Sequence, residues 1–174
     1  MLKRTVITLA TLTLLPLQSM AAMQCATGLT HVNVNGSVTT LNVSETKQVG
    51  QICLSMIRTA NGREVFNDCG AVVGKILSID EQNQSSVLSH TALFDLRNLF
   101  VTRNDQAQIT GVLAADNTGA PCAFSVVETI SEIEKGTGVF RDGQIAVTAT
   151  GSISFCPGKN LNTFALQGEA CVRK

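Results

Sequence analysis

The feature that most restricts the fold of this chain is a strict two-residue alternation near its C-terminus. Ile145, Val147, Ala149, Gly151, Ile153 and Phe155 alternate with Ala146, Thr148, Thr150, Ser152 and Ser154. Successive side chains of an extended strand point to opposite faces, so this is a strand with one buried face. Cys122, Phe124, Val126 and Ile130 share one phase of a second strand, and Phe164, Leu166, Gly168 and Ala170 one phase of the last. Ile52, Leu54 and Met56 repeat the pattern ahead of an Asn61-Gly62 turn. Shorter strands fit at 31–43, 71–79, 86–93, 96–102 and 107–114. Turn signals separate them at Asn35-Gly36, Asp80 to Asn83, Arg103-Asn104-Asp105, Asn117 to Gly119 and Cys156 to Lys159. Beyond the first 22 residues no useful window has helical periodicity. Many short strands at regular spacing predict an all-β sandwich or barrel.

The first 22 residues read differently. Lys3 and Arg4 precede an apolar run from Val6 to Leu17, which ends on Ser19-Met20-Ala21-Ala22. Charge, greasy core and small-residue exit together predict a secretory signal peptide, cleaved after Ala21 or Ala22. The run is shorter than the roughly 20 residues that span a bilayer. Gln24 before Cys25 argues against a lipid anchor. The expected organisation is a leader over 1–22 and one domain over 23–174, secreted or periplasmic and without a membrane span.

The whole chain carries 13 Lys+Arg and 13 Asp+Glu; without Lys3 and Arg4 this becomes 11 against 13, a formal charge of −2. Such a balance, with no basic run, argues against nucleic acid and against a polybasic grip on membranes. Charged residues make up only 15%, so Thr, Ser, Asn and Gln must carry solubility.

All six cysteines follow the leader: Cys25, Cys53, Cys69, Cys122, Cys156 and Cys171. An even number behind a signal peptide predicts three disulfides. Zinc-type C-x-x-C pairs are missing and the chain has two histidines, so no metal site is expected. Cys53 and Cys69 flank the Ala60 to Arg63 turn and come directly opposite if the loop centres on Asn61. Cys25 and Cys171 lie near the two ends, which meet if a sheet closes into a barrel. Cys122 and Cys156 remain. Cys156 lies one residue past Phe155, on the polar phase, whereas Cys122 is on the apolar phase. A direct bond between them needs a bulge near Cys156; otherwise this third pairing is wrong.

Residues 107 to 171 carry a resemblance. The run Phe124 to Ile130, the Gly136-Thr137-Gly138-Val139-Phe140 turn, the alternating strand 144–155 and the closing strand Phe164 to Gly168 are similar to a known type. They resemble the small exported bacterial β-barrels of the allene-oxide-cyclase/dirigent-like type, over about the C-terminal half of the mature chain. The resemblance implies a single antiparallel up-and-down β-barrel of about eight strands. Its narrow interior would be filled by side chains or hold one small ligand. Arg141-Asp142 replaces the usual small residues after the Phe, and the six cysteines are outside the family pattern. Only the fold is carried over.

Few residues stand out as chemical groups. Gly136-Thr137-Gly138 precedes a strand rather than a helix, so a tight turn with positive-φ glycines is expected, not a phosphate loop. Glu128 shares the phase of Phe124, Val126 and Ile130 and is therefore expected inside the barrel. A carboxylate there can anchor a ligand or act as acid or base. Glu132 and Glu134 read as a solvated rim. His31 and His90 read as surface or strand-packing residues, and six paired cysteines leave no nucleophilic thiol. There is no G-x-S-x-G elbow. The chain has no Trp, no Tyr and seven Phe, which is poor equipment for base or sugar stacking. Phe66, Phe94, Phe100, Phe124, Phe155 and Phe164 are expected in the core.

These readings favour an exported, non-enzymatic barrel, acting through its surface or by binding one small apolar ligand or a protein partner, with no cofactor. An envelope accessory or virulence-related role fits that class. A cyclase or isomerase-like enzyme using the barrel interior is the alternative, with Glu128 as its polar group. A secreted inhibitor presenting Arg58 and Arg63 on the 53–69 hairpin is a third. The lumen separates them: a solidly packed interior excludes both the ligand and the enzyme readings.

Overall fold

The computed structural model of the protein describes residues 23–173. The expected leader, 1–22, lies outside the described residues. The strands are β1 (Leu29–Ser44), β2 (Lys47–Arg58), β3 (Glu64–Asp80), β4 (Ser85–Leu93), β5 (Leu99–Thr102), β6 (Asp105–Ala115), β7 (Pro121–Ile130), β8 (Ile133–Gly136), β9 (Gln144–Ser154) and β10 (Asn162–Arg173). All ladders are antiparallel.

These ten segments form eight staves. Thr91 of β4 faces Val101 of β5, and Leu88 of β4 faces Asp105 of β6. β5 and β6 are thus one stave, interrupted at Arg103-Asn104, where Asn104 takes φ 61°. β7 and β8 are likewise one stave: Gln106 faces Thr129 and Thr102 faces Ile133. Each stave pairs with its neighbours in sequence, and β10 returns to β1 from Leu29↔Arg173 to Thr40↔Asn162. The result is a closed up-and-down barrel of eight staves, the architecture expected, where the alternation alone had left a sandwich open as well.

The strand from Gln144 buries Ile145, Val147 and Ala149 and turns Ala146, Thr148 and Thr150 outward. Its glycine serves closure: a Cβ on Gly151 would overlap the backbone carbonyl of Thr163 on β10. Three expected features differ. Asn35-Gly36, expected as a turn, lies inside β1, where Asn35 faces Ser55 and Gly36 faces Leu54. The strand foreseen from residue 96 begins only at Leu99, because the Asp95 carboxylate accepts the Arg97 and Asn98 N–H groups, both at 2.6 Å, and holds a turn. After Gly136-Thr137-Gly138 comes a single 3-10 turn, Gly138–Phe140, before β9 begins. Only the second glycine has positive φ (58°).

That turn closes one end of the barrel. Thr137 donates its hydroxyl to the Arg97 carbonyl at 2.7 Å, and the Val139 N–H donates to Asn98 Oδ1 at 3.1 Å. Phe140 is thereby driven inward to 2% exposure, among Phe66, Phe94 and Phe100, with ring centroids 4.9–6.1 Å apart. The sequence reading had left Phe140 out of the core and placed Phe155 in it. Phe155 is 47% exposed, since β9 ends at Ser154 and the alternation ends with it.

The three disulfides are Cys25–Cys171, Cys53–Cys69 and Cys122–Cys156. Cys53 faces Cys69 directly in the β2–β3 ladder, and Cys171 lies on the closing ladder opposite His31. The phase conflict at Cys156 dissolves because this residue has left the ladder. The Phe155 N–H donates to the Cys122 carbonyl at 2.8 Å, and Cys156 then opens a turn closed by the Lys159 N–H at 2.9 Å. The two-face rule binds only residues still held in the sheet.

Truncating the aromatic end should be costly. Phe140→Ala should lose about 3–5 kcal/mol in denaturant unfolding with disulfides intact; a loss of less than ~1 kcal/mol would show that this end is loosely packed. Among the disulfides, replacing Cys25 and Cys171 together by Ala should cost about 5 kcal/mol and replacing Cys53 and Cys69 about 3 kcal/mol, because the first closes a far longer loop. The reverse order would mean that loop entropy does not govern their contributions.

Candidate functional site

The aromatic cluster fills only one end of the barrel. Toward the other end, where the 45–46, 81–84 and 155–161 connections lie, the interior holds a cavity of about 380 Å³. Its wall is mostly Val, Ile, Leu, Ala and Phe, including Ile52, Leu88, Val126, Ala149 and Leu166. β2, β4, β7, β9 and β10 supply these side chains by simple alternation. A cavity of this size suits one small molecule.

One side of the wall is polar. His90 comes from β4, Asp105 from the first position of β6 and Glu128 from β7, three neighbouring staves. Glu128 is inside, at 6% exposure, and His90 lines the cavity beside it. Asp105 is fully buried, at 0%. Its position follows from the break at Arg103-Asn104. Phe100 and Thr102 are buried on one parity of the numbering, Asp105 and Ala107 on the other. The left-handed Asn104 shifts the phase, so residues three apart both point inward.

The contacts are specific. His90 Nδ1 lies 2.8 Å from Asp105 Oδ2 and 3.3 Å from Glu128 Oε1. The Thr102 hydroxyl donates to the same Asp105 oxygen and accepts the His90 N–H at 2.9 Å. Ser89 donates its hydroxyl to the Thr102 carbonyl at 2.7 Å. The imidazole lies over Gly74, its partner on β3; a Cβ there would come within 2.9 Å of Nε2. Glycine at this position makes room for the ring. Glu128 Oε1 and Asp105 Oδ1 are buried with no hydrogen-bond partner among the described residues.

Burial alone would lower the His90 pKa, but the Asp105 hydrogen bond and the charges of Glu128 and Asp105 outweigh it, and the net direction is up. Burial pushes the Glu128 carboxyl up; His90 opposes this and Asp105 adds to it. The cluster can therefore hold a polar ligand group, exchange a proton with it, or bind a cation. Its donor atoms lie within 4.8 Å of one another.

The other singled-out residues lie apart from this cluster. His31 occupies the outward phase of β1, with Nε2 3.1 Å from Glu169. Arg58 and Arg63 bracket the β2–β3 turn, where the Arg58 N–H donates to the Arg63 carbonyl at 2.8 Å. Glu132 and Glu134 are exposed, Glu134 paired with Arg103 at 3.3 Å. The sequence reading placed His90 among surface or strand-packing residues and Asp105 in a turn; the structure puts His90 within β4 at the cavity wall and Asp105, buried, at the first position of β6. Apolar residues occupy both phases of β4, which hid the face of His90, and the phase break hid Asp105. The expectation of no metal site counted only cysteines and histidines, and did not foresee two carboxylates meeting a histidine.

Comparison with protein-family models, with curated proteins and with solved structures gave no match. Among the described residues no helix is long and apolar enough to cross a membrane.

Thr102→Val keeps the shape but removes both the donor to Asp105 and the acceptor for His90. It should destabilise the fold by about 1–3 kcal/mol, whereas Thr91→Val on the exposed phase should change stability by less than ~0.5 kcal/mol. Equal effects in urea unfolding would show that the hydroxyl does not support the cluster.

Proposed function

We propose that this protein is an exported carrier or sensor that binds one small, mostly apolar molecule in its barrel. The observation that supports this reading is the mostly apolar cavity of about 380 Å³ with the buried His90, Asp105 and Glu128 cluster at its wall. An apolar wall supplies affinity through burial, and a few buried polar groups set orientation. Glu128, His90 and Thr102 line the cavity, while Asp105 stands behind them. Three disulfides argue for an oxidising compartment. With the leader pattern around Lys3, Arg4 and Ala22, they support the periplasm or the extracellular space.

A second reading has its own observation. A buried carboxylate on His90 Nδ1 orients the ring, and a second carboxyl lies alongside it. That arrangement suits proton transfer, so a cyclase or isomerase-like reaction in the same cavity is the alternative. It would appear as turnover of the bound molecule, which a carrier does not show.

The test uses exported, oxidised protein, stripped of lipid and titrated with the fluorescent apolar probe N-phenyl-1-naphthylamine. Binding should saturate at one probe per chain and weaken at least tenfold in Ala149→Phe, which fills the cavity from β9. Mass spectrometry of the unstripped protein should find a co-purifying small molecule. A folded Ala149→Phe variant that binds the probe as the wild type does would remove the cavity as the working part.

A further inference from the structure

We propose that His90, Asp105 and Glu128 form a binding site for one divalent transition-metal ion on the wall of the cavity. The site would exist whether or not the cavity also holds an organic molecule.

The first support is an imbalance of donors. The imidazole Nδ1 can carry one proton, and that proton can satisfy one carboxylate. Nδ1 lies 2.8 Å from Asp105 Oδ2, within hydrogen-bond distance, and also 3.3 Å from Glu128 Oε1. Glu128 Oε1 is left without a donor, as is Asp105 Oδ1 on the other oxygen of its carboxyl. These residues are only 6% and 0% exposed, so water does not replace the missing partner as it would on a surface. A cation between the three side chains satisfies Nδ1 as a lone pair and both carboxylates together.

Distance and charge agree with this. Ligand atoms bonded at roughly 2.0–2.2 Å to one zinc-like ion sit about 2.8–3.1 Å apart at octahedral angles and about 3.3–3.6 Å apart at tetrahedral ones. The spacings from Nδ1, 2.8 and 3.3 Å, fall within these two ranges, and all three donor atoms lie within 4.8 Å of one another. Two carboxylates and a neutral imidazole balance a 2+ charge. Two oxygens and one imidazole nitrogen favour zinc or manganese over soft cuprous copper.

The surroundings are those of a supported site. Thr102 donates to Asp105 and is itself held by the His90 N–H, which fixes two ligands against each other. Using Nδ1 for the metal places the remaining ring proton on Nε2, over Gly74. Three protein ligands leave a coordination position for water or a ligand head group, and His90 and Glu128 both line the cavity.

The probe is Zn²⁺, titrated calorimetrically into chelator-treated, oxidised protein. One ion per chain is expected, with affinity at least tenfold weaker in Glu128→Gln and in Asp105→Asn and unchanged in His31→Ala. Absence of saturable one-to-one binding would overturn the proposal, as would unchanged affinity in a folded Glu128→Gln protein. A second measurement needs no variant at the site. The chain has two histidines, so long-range ¹H–¹⁵N spectra of the wild type, assigned with His31→Ala, report each ring. Zinc should move His90 Nδ1 and leave His31 in place. Movement of His31 alone, or of neither ring, would overturn the proposal. Probe fluorescence is read separately, so loss of the apolar-ligand reading would not imitate loss of the metal site.

Discussion

The β1–β10 ladder is the constraint on which the other features rest. It joins the first and last strands over the run Leu29↔Arg173 to Thr40↔Asn162 and turns an open sheet into a ring. An open eight-stave meander would leave two long edges with unpaired N–H and C=O groups, prone to pairing with other chains. Closure removes those edges and creates an inside, and only then does a two-residue alternation acquire a lumen to line. Cys25–Cys171 ties the segment before β1 to the end of β10 and so restricts the unfolded chain around the same closure.

Closure also divides the interior. At one end Phe66, Phe94, Phe100 and Phe140 pack edge to face and stacked. Their delivery depends on the 94–98 and 137–140 loops holding each other through Thr137 and Asn98. At the other end smaller aliphatic side chains leave the cavity. The polar cluster sits on the wall of β4, β6 and β7, and its position depends on one irregularity. Without the phase shift at Arg103-Asn104, Thr102 and Asp105 could not both face inward. An interruption that weakens a sheet locally thus places a carboxylate where regular alternation would have put it outside.

That placement conflicts with stability. Two buried carboxyl groups beside one histidine lack the donors to satisfy every oxygen, and burial of an unpaired charge is costly. An apolar residue at 128 would continue the wall of β7 without that cost. The cluster, in a lumen with room for a molecule, is the feature on which the proposed binding function rests.

How much of this was legible beforehand can be followed residue by residue. The alternation from Ile145 to Phe155, the turn signals and the even cysteine count determined an all-β, disulfide-linked domain, because those signals are local and strand geometry is strictly periodic. The inward phase of Glu128 was readable for the same reason. Cys53 facing Cys69 could be read from the hairpin, since one turn sets that register. The sequence could not place His90, where both phases of β4 carry apolar residues, or Asp105, which lies just past a phase shift that leaves no periodic trace. Nor could it reveal that Phe140 plugs one end while Phe155, past the end of β9, stays half-exposed at the cavity. Those outcomes depend on contacts between loops far apart in the chain, and on where a ladder stops. Whether the lumen was filled or hollow was likewise decided only by the tertiary structure, because a cavity is the volume left between side chains from many strands and no single strand encodes it.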